Sequence, residues 1–274
     1  MADSLVTNNG LYYHDWDTPN EQKGTVILVH GLGEHCQRYR ALADYLNDAG
    51  YSLSSMDLPC HGQSEGTRGH VDSFTVFQEA VLGLYERVKQ RQANTPLFIL
   101  GHSMGGLIVT RFLQDHQDKF NGALLSGALI ESPQEPSSLQ VKIITLISRL
   151  LPKLGVLKLD ASGISHDPVV VEDYLADPLV NKNKLSAKFL VEMFKTMALA
   201  KEQAKKIDSP ILIMHGSEDP MTAPSGSQYL YDNVSSTDKQ LTIYDGLMHE
   251  IFNEPEANGI YNEMVAWLDA HTNA

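Results

Sequence analysis

Short runs of aliphatic residues recur along the chain, and stretches with helical spacing separate most of them. The runs lie at 25–29, 51–56, 97–100, 123–126, 211–214 and 241–244. Apolar residues three and four apart predict helices at 38–48, 74–92, 104–116 and 258–270. Strands that alternate with helices are typical of a mostly parallel sheet with helices on both faces. The pattern therefore predicts an α/β fold.

Residues 131–207 interrupt this rhythm. An irregular stretch opens the segment, and an apolar-rich helix is predicted at 139–151, with Lys142 and Arg149 seven residues apart on one side of it. The helix is too short to span a bilayer, but it could lie on a membrane surface. We expect either a lid that only packs over the rest of the chain or a lid that also contacts a membrane. The predicted domains are a core of residues 1–130 and 208–274 and a cap of residues 131–207.

The net charge of the chain limits the classes of binding partner that are expected. The chain has 274 residues, 42% of them apolar, and a formal net charge of -13. A nucleic-acid partner is not expected, because a phosphate backbone needs a basic face. Residues 131–207 carry a net charge of +2 and the remainder carries -15. The two parts are therefore expected to face different surroundings.

The N-terminal residues and the cysteines indicate the cellular compartment. The first ten residues hold neither a basic segment nor an apolar stretch, unlike a signal peptide. Two cysteines, Cys36 and Cys60, are too few for a disulfide framework and indicate reduced thiols. The expected location is the cytoplasm, with membrane association through the cap as the alternative. Nothing in the pattern predicts a particular oligomeric state.

The pentapeptide Gly101-His102-Ser103-Met104-Gly105 fits the pattern Gly-x-Ser-x-Gly. It follows a predicted strand and precedes a predicted helix, which is the context of a nucleophile elbow. Small flanking residues permit the tight turn, and the nearby helix N-terminus stabilises negative charge. Ser103 is therefore the candidate nucleophile.

A serine nucleophile needs a base, and the base needs an orienting acid. Asp219 ends an acidic loop after the run at 211–214, and His249 follows the run at 241–244. The order Ser, Asp, His is the one expected for an elbow of this kind. Other acidic residues that compete for the orienting role are Glu218, Glu131 and Asp208. We expect Asp219 to orient His249.

The tetrahedral intermediate needs hydrogen-bond donors for its oxyanion. The backbone N–H of Met104 is one candidate, since it follows the nucleophile. The N–H of Leu32 is the other, because the loop 30–35 follows the first predicted strand and contains two glycines. His102, inside the elbow, is expected to point away from the site.

Metal and cofactor signatures are absent from the sequence. His249-Glu250 continues as Ile-Phe-Asn, so the pattern His-Glu-x-x-His fails at its last residue. There is no Cys-x-x-Cys pair, and the glycines near Ser103 form no dinucleotide fingerprint. We therefore expect neither a metal nor a cofactor.

The chain resembles the monoacylglycerol lipase and lysophospholipase family of α/β-hydrolases. The resemblance rests on His30-Gly-Leu-Gly-Glu-His-Cys-Gln-Arg-Tyr39, Asp57-Leu-Pro-Cys-His-Gly-Gln-Ser-Glu-Gly66, the stretch 101–106, the stretch 210–219, Asp245–His249 and Tyr174-Leu-Ala-Asp-Pro-Leu179. It spans nearly the whole chain. It implies the α/β-hydrolase fold, a cap over an apolar acyl tunnel, and ester cleavage of single-chain lipids such as monoacylglycerols.

The same resemblance implies that Glu34 and Arg38 lie at the polar end of the pocket, where glycerol binds. Two positions depart from the family pattern. Gly127 follows Ser126 where the family often has proline, and Cys60 stands where a smaller residue is common.

Three alternatives remain open for the function. The same triad would serve a lysophospholipase, or a general carboxylesterase or thioesterase. A remote alternative is a non-catalytic ligand-binding protein with this fold.

Overall fold

The computed structural model describes residues 4–6, 10–92, 94–134 and 136–272. Most of the first ten residues, on which the signal-peptide expectation rests, lie outside these ranges. The strands are β1 (Ser4–Val6), β2 (Tyr12–Trp16), β3 (Gly24–Val29), β4 (Tyr51–Met56), β5 (Leu97–His102), β6 (Gly122–Ser126), β7 (Gly155–Leu157), β8 (Leu185–Ser186), β9 (Ile211–Gly216) and β10 (Lys239–Tyr244).

Eight of these strands form one sheet in the order β1-β2-β4-β3-β5-β6-β9-β10. The pairs β1/β2 and β2/β4 are antiparallel, and the other five pairs are parallel. The predicted mostly parallel sheet of an α/β-hydrolase is thus confirmed. All strands from β3 onwards in this sheet point the same way, so their carboxyl ends meet at one edge.

The α-helices are α1 (Arg40–Asp48), α2 (Thr75–Arg91), α3 (Met104–His116), α4 (Ser138–Leu150), α5 (Pro168–Ala176), α6 (Ala187–Glu202), α7 (Pro224–Asn233) and α8 (Ala257–His271). Short 3-10 turns lie at Cys36–Tyr39, Gln117–Lys119, Ala204–Lys206 and Ile251–Asn253. The four helices predicted outside residues 131–207 correspond to α1, α2, α3 and α8.

Two layers of apolar side chains cover the two faces of the sheet. On β3, Val26 and Leu28 pack with residues of α1 and α8, whereas Ile27 and Val29 pack with residues of α2 and α3. Both sets are fully buried. This alternation explains why the central strands are continuously apolar in sequence, since side chains are buried on both faces.

Residues 131–207 contribute no strand to the large sheet within the described residues. They contain α4, α5 and α6, and β7 pairs with β8 in a separate antiparallel ribbon. A capping box of Ser137 and Gln140 starts α4, and Ser186 caps α6. Helix α6 buries Phe189 and Met193 in the same core layer as α3.

No helix in the described part of the chain has the length and the apolar content to cross a bilayer.

Candidate active site

Ser103 lies in the turn between β5 and α3. Its φ is 55° and its ψ is -120°, a conformation that is rare for a residue with a side chain. Its N–H donates to the carbonyl of Ser126 at 2.9 Å, and its own carbonyl accepts from Leu129 at 3.0 Å. Gly105 permits the close approach of α3, because a Cβ there would lie 2.0 Å from the carbonyl oxygen of Val29. The turn is therefore held in place from both sides.

Asp219 and His249 are in direct contact. Asp219 Oδ2 lies 2.6 Å from His249 Nδ1, and both side chains are buried. Asp219 Oδ1 accepts the N–H groups of Met221 and Thr222 at 2.8 and 2.9 Å. The carboxylate is thus fixed by its own loop as well as by the histidine.

The electrostatics of this pair fix its protonation states. Burial opposes ionisation of Asp219, but His249 and the surrounding hydrogen bonds hold the pKa of Asp219 well below its usual range. Burial likewise opposes protonation of His249, yet Asp219 raises the pKa of His249 above its ordinary 6.5. Because the carboxylate only accepts, Nδ1 of His249 carries the proton and Nε2 is left as the basic atom.

The two candidate oxyanion donors lie in the loop after β3 and at the start of α3. Leu32 lines the same cavity as Ser103. Among the described residues the Leu32 N–H donates to no hydrogen-bond acceptor. Met104 is the first residue of α3, where the N–H has no partner within the helix. The neighbouring N–H of Gly31 is already bound to Glu34 Oε1 at 2.6 Å.

Three charged side chains form a buried cluster beside the triad. Arg38 Nη1 donates to Glu34 Oε2 at 2.7 Å, and its two terminal nitrogens bind both oxygens of Glu250 at 2.7 and 2.8 Å. Tyr39 donates to Glu34 Oε1 at 2.7 Å. Burial opposes ionisation of Glu34, but Arg38, with smaller contributions from nearby histidines and Tyr39, holds the pKa of Glu34 at about 2. The cluster carries one net negative charge, and its two carboxylates line the cavity.

The cavity itself has two unlike ends. Near Ser103 and His249 it is polar. The rest of its wall is apolar and comes mostly from residues 131–207. The apolar lining residues of that segment include Leu157, Leu159, Leu190, Met193, Phe194 and Met197. The arrangement suits a ligand with one polar and one apolar end.

The prediction that His102 points away from the site is wrong. Because β5 extends to residue 102, strand alternation places His102 on the same face as Leu100. Its ring lies against that of His249, with centroids 4.7 Å apart. Burial, together with the neighbouring His249, lowers the pKa of His102 to about 4. His102 is therefore a neutral wall of the site at neutral pH.

Sequence reasoning also missed Glu250 and His215. Glu250 came up only in the failed metal motif, although a carboxylate directly after the histidine was the available signal. Its partner Arg38 lies 212 residues away in sequence, so the pairing has no local pattern. His215 contacts the triad carboxylate from the end of β9.

No group of three or more His, Cys, Asp or Glu side chains within the described ranges is arranged to hold a metal ion. Cys36 is fully buried, as expected for a small packed side chain. Burial raises the pKa of its thiol well above the ordinary value.

Comparison with known proteins identifies the family. A family model described as "Serine aminopeptidase, S33" matches residues 20–256. A monoacylglycerol lipase of Mycolicibacterium smegmatis is 32% identical over 95% of this chain and 93% of its own length. The chain belongs to the monoacylglycerol lipase family of α/β-hydrolases. The human monoglyceride lipase, another member, is 30% identical over 98% of this chain and 90% of its own length.

A solved structure of this family agrees. The crystal structure of the Paleococcus ferrophilus monoacylglycerol lipase superposes with a TM-score of 0.86 at 33% identity, covering 95% of this chain and 99% of that one. Membership makes the present chain a serine hydrolase that cleaves esters, as the sequence predicts.

Proposed function

We propose that this protein hydrolyses monoacylglycerols to fatty acid and glycerol through an acyl-enzyme on Ser103. The observation that carries the proposal is the two-ended cavity: a polar end with Ser103, His249 and two carboxylates, joined to a long apolar wall. A single acyl chain with one small polar head matches this shape. The names of the relatives point to the same substrate class.

In the proposed mechanism, Ser103 Oγ attacks the ester carbonyl while His249 Nε2 takes its proton. The N–H groups of Leu32 and Met104 bind the oxyanion. His249 then gives the proton to the departing glycerol oxygen, and the C–O bond breaks. A water molecule, deprotonated by the same nitrogen, attacks the acyl-enzyme and releases the fatty acid. Asp219 keeps His249 in the required tautomer and stabilises its cation.

The charged cluster favours a neutral alcohol over a phosphate ester. Glu34 Oε2 and Glu250 Oε1 each accept one hydrogen bond from Arg38, so each keeps a lone pair for a substrate hydroxyl. Glycerol offers hydroxyl donors, whereas a phosphodiester offers only negatively charged acceptors. In a buried site that already carries net negative charge, the phosphate of a lysophospholipid would be repelled.

We propose that residues 131–207 are a cap on the core of residues 1–130 and 208–274, and that its two parts act differently. The part from residue 164 onwards is bonded to the loops around the site: Asp177 to His35 at 2.8 Å, the N–H of Asn181 to Gly33 at 2.7 Å, and the N–H of Glu250 to Ile164 at 2.7 Å. Helix α4 has no such bonds to those loops in the described residues. It is the part best suited to move as a lid.

Helix α4 also supports membrane contact through the cap. Four side chains at helical spacing form an exposed apolar stripe, namely Leu139, Ile143, Leu146 and Leu150, each 51% to 70% exposed. Lys142 and Arg149 border one edge of the stripe by the same spacing. An apolar stripe with basic residues beside it is typical of a helix that lies at an anionic lipid surface.

A substrate panel tests the proposed activity. Mono-, di- and triacylglycerols and a lysophospholipid of one acyl length are compared at equal concentration, with Ser103→Ala as the blank. We expect the highest kcat/KM on the monoacylglycerol and none in the blank. A lysophospholipid preferred over the monoacylglycerol would contradict the proposal. Turnover of thioesters or short-chain esters alone would move the function to the general esterase alternative.

Vesicle flotation tests the membrane proposal separately. The doubly substituted Leu146→Glu, Leu150→Glu protein is compared with wild type on vesicles that contain anionic lipid. Ile243→Glu, at a 39% exposed position on β10, is the matched control. We expect the wild type and the control to float and the double variant to remain in the dense fraction. Equal flotation of all three, or of none, would contradict a role for α4.

A further inference from the structure

A second histidine lies against the carboxylate of Asp219. His215, at the carboxyl end of β9, is fully buried, and its Nε2 lies 3.0 Å from Asp219 Oδ2. His249 Nδ1 approaches the same oxygen at 2.6 Å. One imidazole from β9 and one from the loop after β10 therefore approach the same carboxylate oxygen, and the mechanism above uses only one of them.

The surroundings of His215 determine which of its nitrogens carries the proton. Nε2 hydrogen-bonds the carbonyl oxygen of Thr222 at 3.2 Å and lies 3.0 Å from Asp219 Oδ2, and both of these atoms only accept hydrogen bonds. The hydroxyl of Thr222 lies 3.3 Å from Nε2 and itself donates to Asp219 Oδ2 at 2.7 Å. Nδ1 lies 2.7 Å from the hydroxyl of Ser227, which is also fully buried. Nε2 therefore donates, and Nδ1 accepts from Ser227. The serine thus keeps the proton on Nε2, the nitrogen that faces Thr222 and Asp219.

We infer that His215 is a positioning residue of the triad, whose Nε2–H holds Asp219 Oδ2 in place and limits how strongly Asp219 retains the proton of His249. Its contact is with Asp219 and not with the cavity, since His215 does not line it. The inference goes beyond the proposed substrate, because it concerns the triad and holds for any ester that the protein hydrolyses.

The physical reason lies in the charge on Oδ2. A hydrogen bond to a carboxylate stabilises its negative charge and reduces its attraction for a second donor. Without the His215 donor, Asp219 would bind the imidazolium form of His249 more tightly. His249 would then stay protonated to a higher pH, and less of it would be available as a base. The carboxylate would also lose a restraint on its rotation.

Other titratable groups face His249 and must stay constant in a test. Besides Asp219 they are His102, whose ring centroid lies 4.7 Å away, and the carboxylates of Glu34 and Glu250. None of these side chains is bonded to His215 in the described structure. Substitution of His215 therefore changes one neighbour of Asp219 and leaves this set unchanged.

Three substitutions separate the hydrogen bond from the packing. In His215→Gln the amide nitrogen takes the place of Nε2 and keeps the donor to Asp219. In His215→Asn the amide reaches Ser227 but not Asp219. His215→Met fills the volume with no donor, and so provides a second donor-less variant if the asparagine variant does not fold. Thermal unfolding of each variant identifies the ones that are folded.

The measurement is the pH profile of kcat/KM on a soluble p-nitrophenyl ester. We expect the donor-less variants to lose about tenfold in kcat/KM, which corresponds to about 1.4 kcal/mol of transition-state stabilisation. The acid limb of their pH profile should move to higher pH. His215→Gln should restore both the rate and the position of the acid limb most of the way.

NMR gives a second measurement, because the proton on Nδ1 of His249 has a far-downfield resonance. The chemical shift of this resonance should change in the donor-less variants and return in His215→Gln.

Two results would overturn the inference. One is a folded donor-less variant in which the acid limb of the kcat/KM profile has the same midpoint pH as in the wild type. The other is an equal loss of kcat/KM in His215→Gln and His215→Asn, which would show that His215 acts only by filling space. If no monoacylglycerol is hydrolysed but the p-nitrophenyl ester shows these shifts, the proposed substrate fails and the role of His215 stands.

Discussion

Arg38 binds both carboxylate oxygens of Glu250, at 2.7 and 2.8 Å, and so joins the 3-10 turn Cys36–Tyr39 to the loop that carries His249. Its side chain is only 11% exposed. The same guanidinium binds Glu34, and the ring of Tyr174 lies 4.6 Å from it. One cation thus connects two segments that carry residues of the candidate site.

Loss of that cation should destabilise the fold. In Arg38→Met two buried carboxylates lose their partner, for which we expect a cost of about 3–5 kcal/mol in the free energy of unfolding. Arg40→Met is the matched control, because Arg40 is 79% exposed and lies 3.7 Å from Asp44. Urea unfolding at pH 7 measures both. Equal stability of the two variants would contradict the assigned role of Arg38.

Lowering the pH should reduce the contribution of the Glu34, Arg38 and Glu250 cluster to the free energy of unfolding. The pKa of Glu34 is about 2 in the folded state against an ordinary value of 4.5. A lowered pKa contributes stability above the unfolded value, and this contribution is lost as pH falls from about 4.5 to about 2. The difference corresponds to about 3 kcal/mol. We expect the free energy of unfolding of Glu34→Gln to fall less steeply than that of wild type over this interval. Parallel curves would show that Glu34 is not the group responsible.

The pH dependence of activity should report His249. The imidazole must be neutral to act as a base, and Asp219 raises its pKa above 6.5. We therefore expect kcat/KM to rise with pH through a midpoint above 6.5 and then to level off. Asp219→Asn should move that midpoint down and lower kcat by about 10⁴-fold, the scale known for the same change in other triads. An unmoved midpoint would assign the ionisation to another group.

Gly127 should be intolerant of a side chain for a reason specific to the site. Its φ is 51°, and a Cβ there would lie 3.2 Å from His249 Nδ1. Gly246, with φ of 76° and open space around its Cα, is the matched control on the same loop as His249. Alanine at either position costs about 1 kcal/mol of backbone strain. Only Gly127→Ala should also lower kcat/KM, by tenfold or more, as steady-state kinetics on both variants would test. Equal activity of the two would show that the imidazole is not crowded.

Much of the fold follows from local pattern. The continuously apolar strands and the elbow at Ser103 are visible in sequence because burial on both faces and a tight turn each impose a residue type. The short strand β2 is not visible, because it contains His14 and Asp15. Asp15 is buried, and Arg87 and Arg91 of α2 pair with its carboxylate. A pairing across some 70 residues leaves no local signature.

Some residues of the candidate site could likewise be predicted from local sequence, and others could not. Ser103, Asp219 and His249 follow strands, and each could be placed by its position at a strand end. Glu250 and His215 act through partners that only the folded chain supplies. Helices α5 and α6 were missed although Asp167-Pro168 and Ser186 are ordinary helix starts. Gly127 departs from the family pattern of proline, and its positive φ is one that proline cannot adopt.

The most direct test of the central claim is fatty-acid release from a medium-chain monoacylglycerol, kept below its micelle concentration, by the wild-type protein and by Ser103→Ala. We expect steady release by the wild type and a loss of roughly 10⁴-fold or more in the variant, with an unchanged melting temperature. Release by the variant at a rate near that of wild type would contradict the assignment of Ser103. No release by the wild type, despite covalent labelling of Ser103 by a fluorophosphonate, would contradict the proposed substrate.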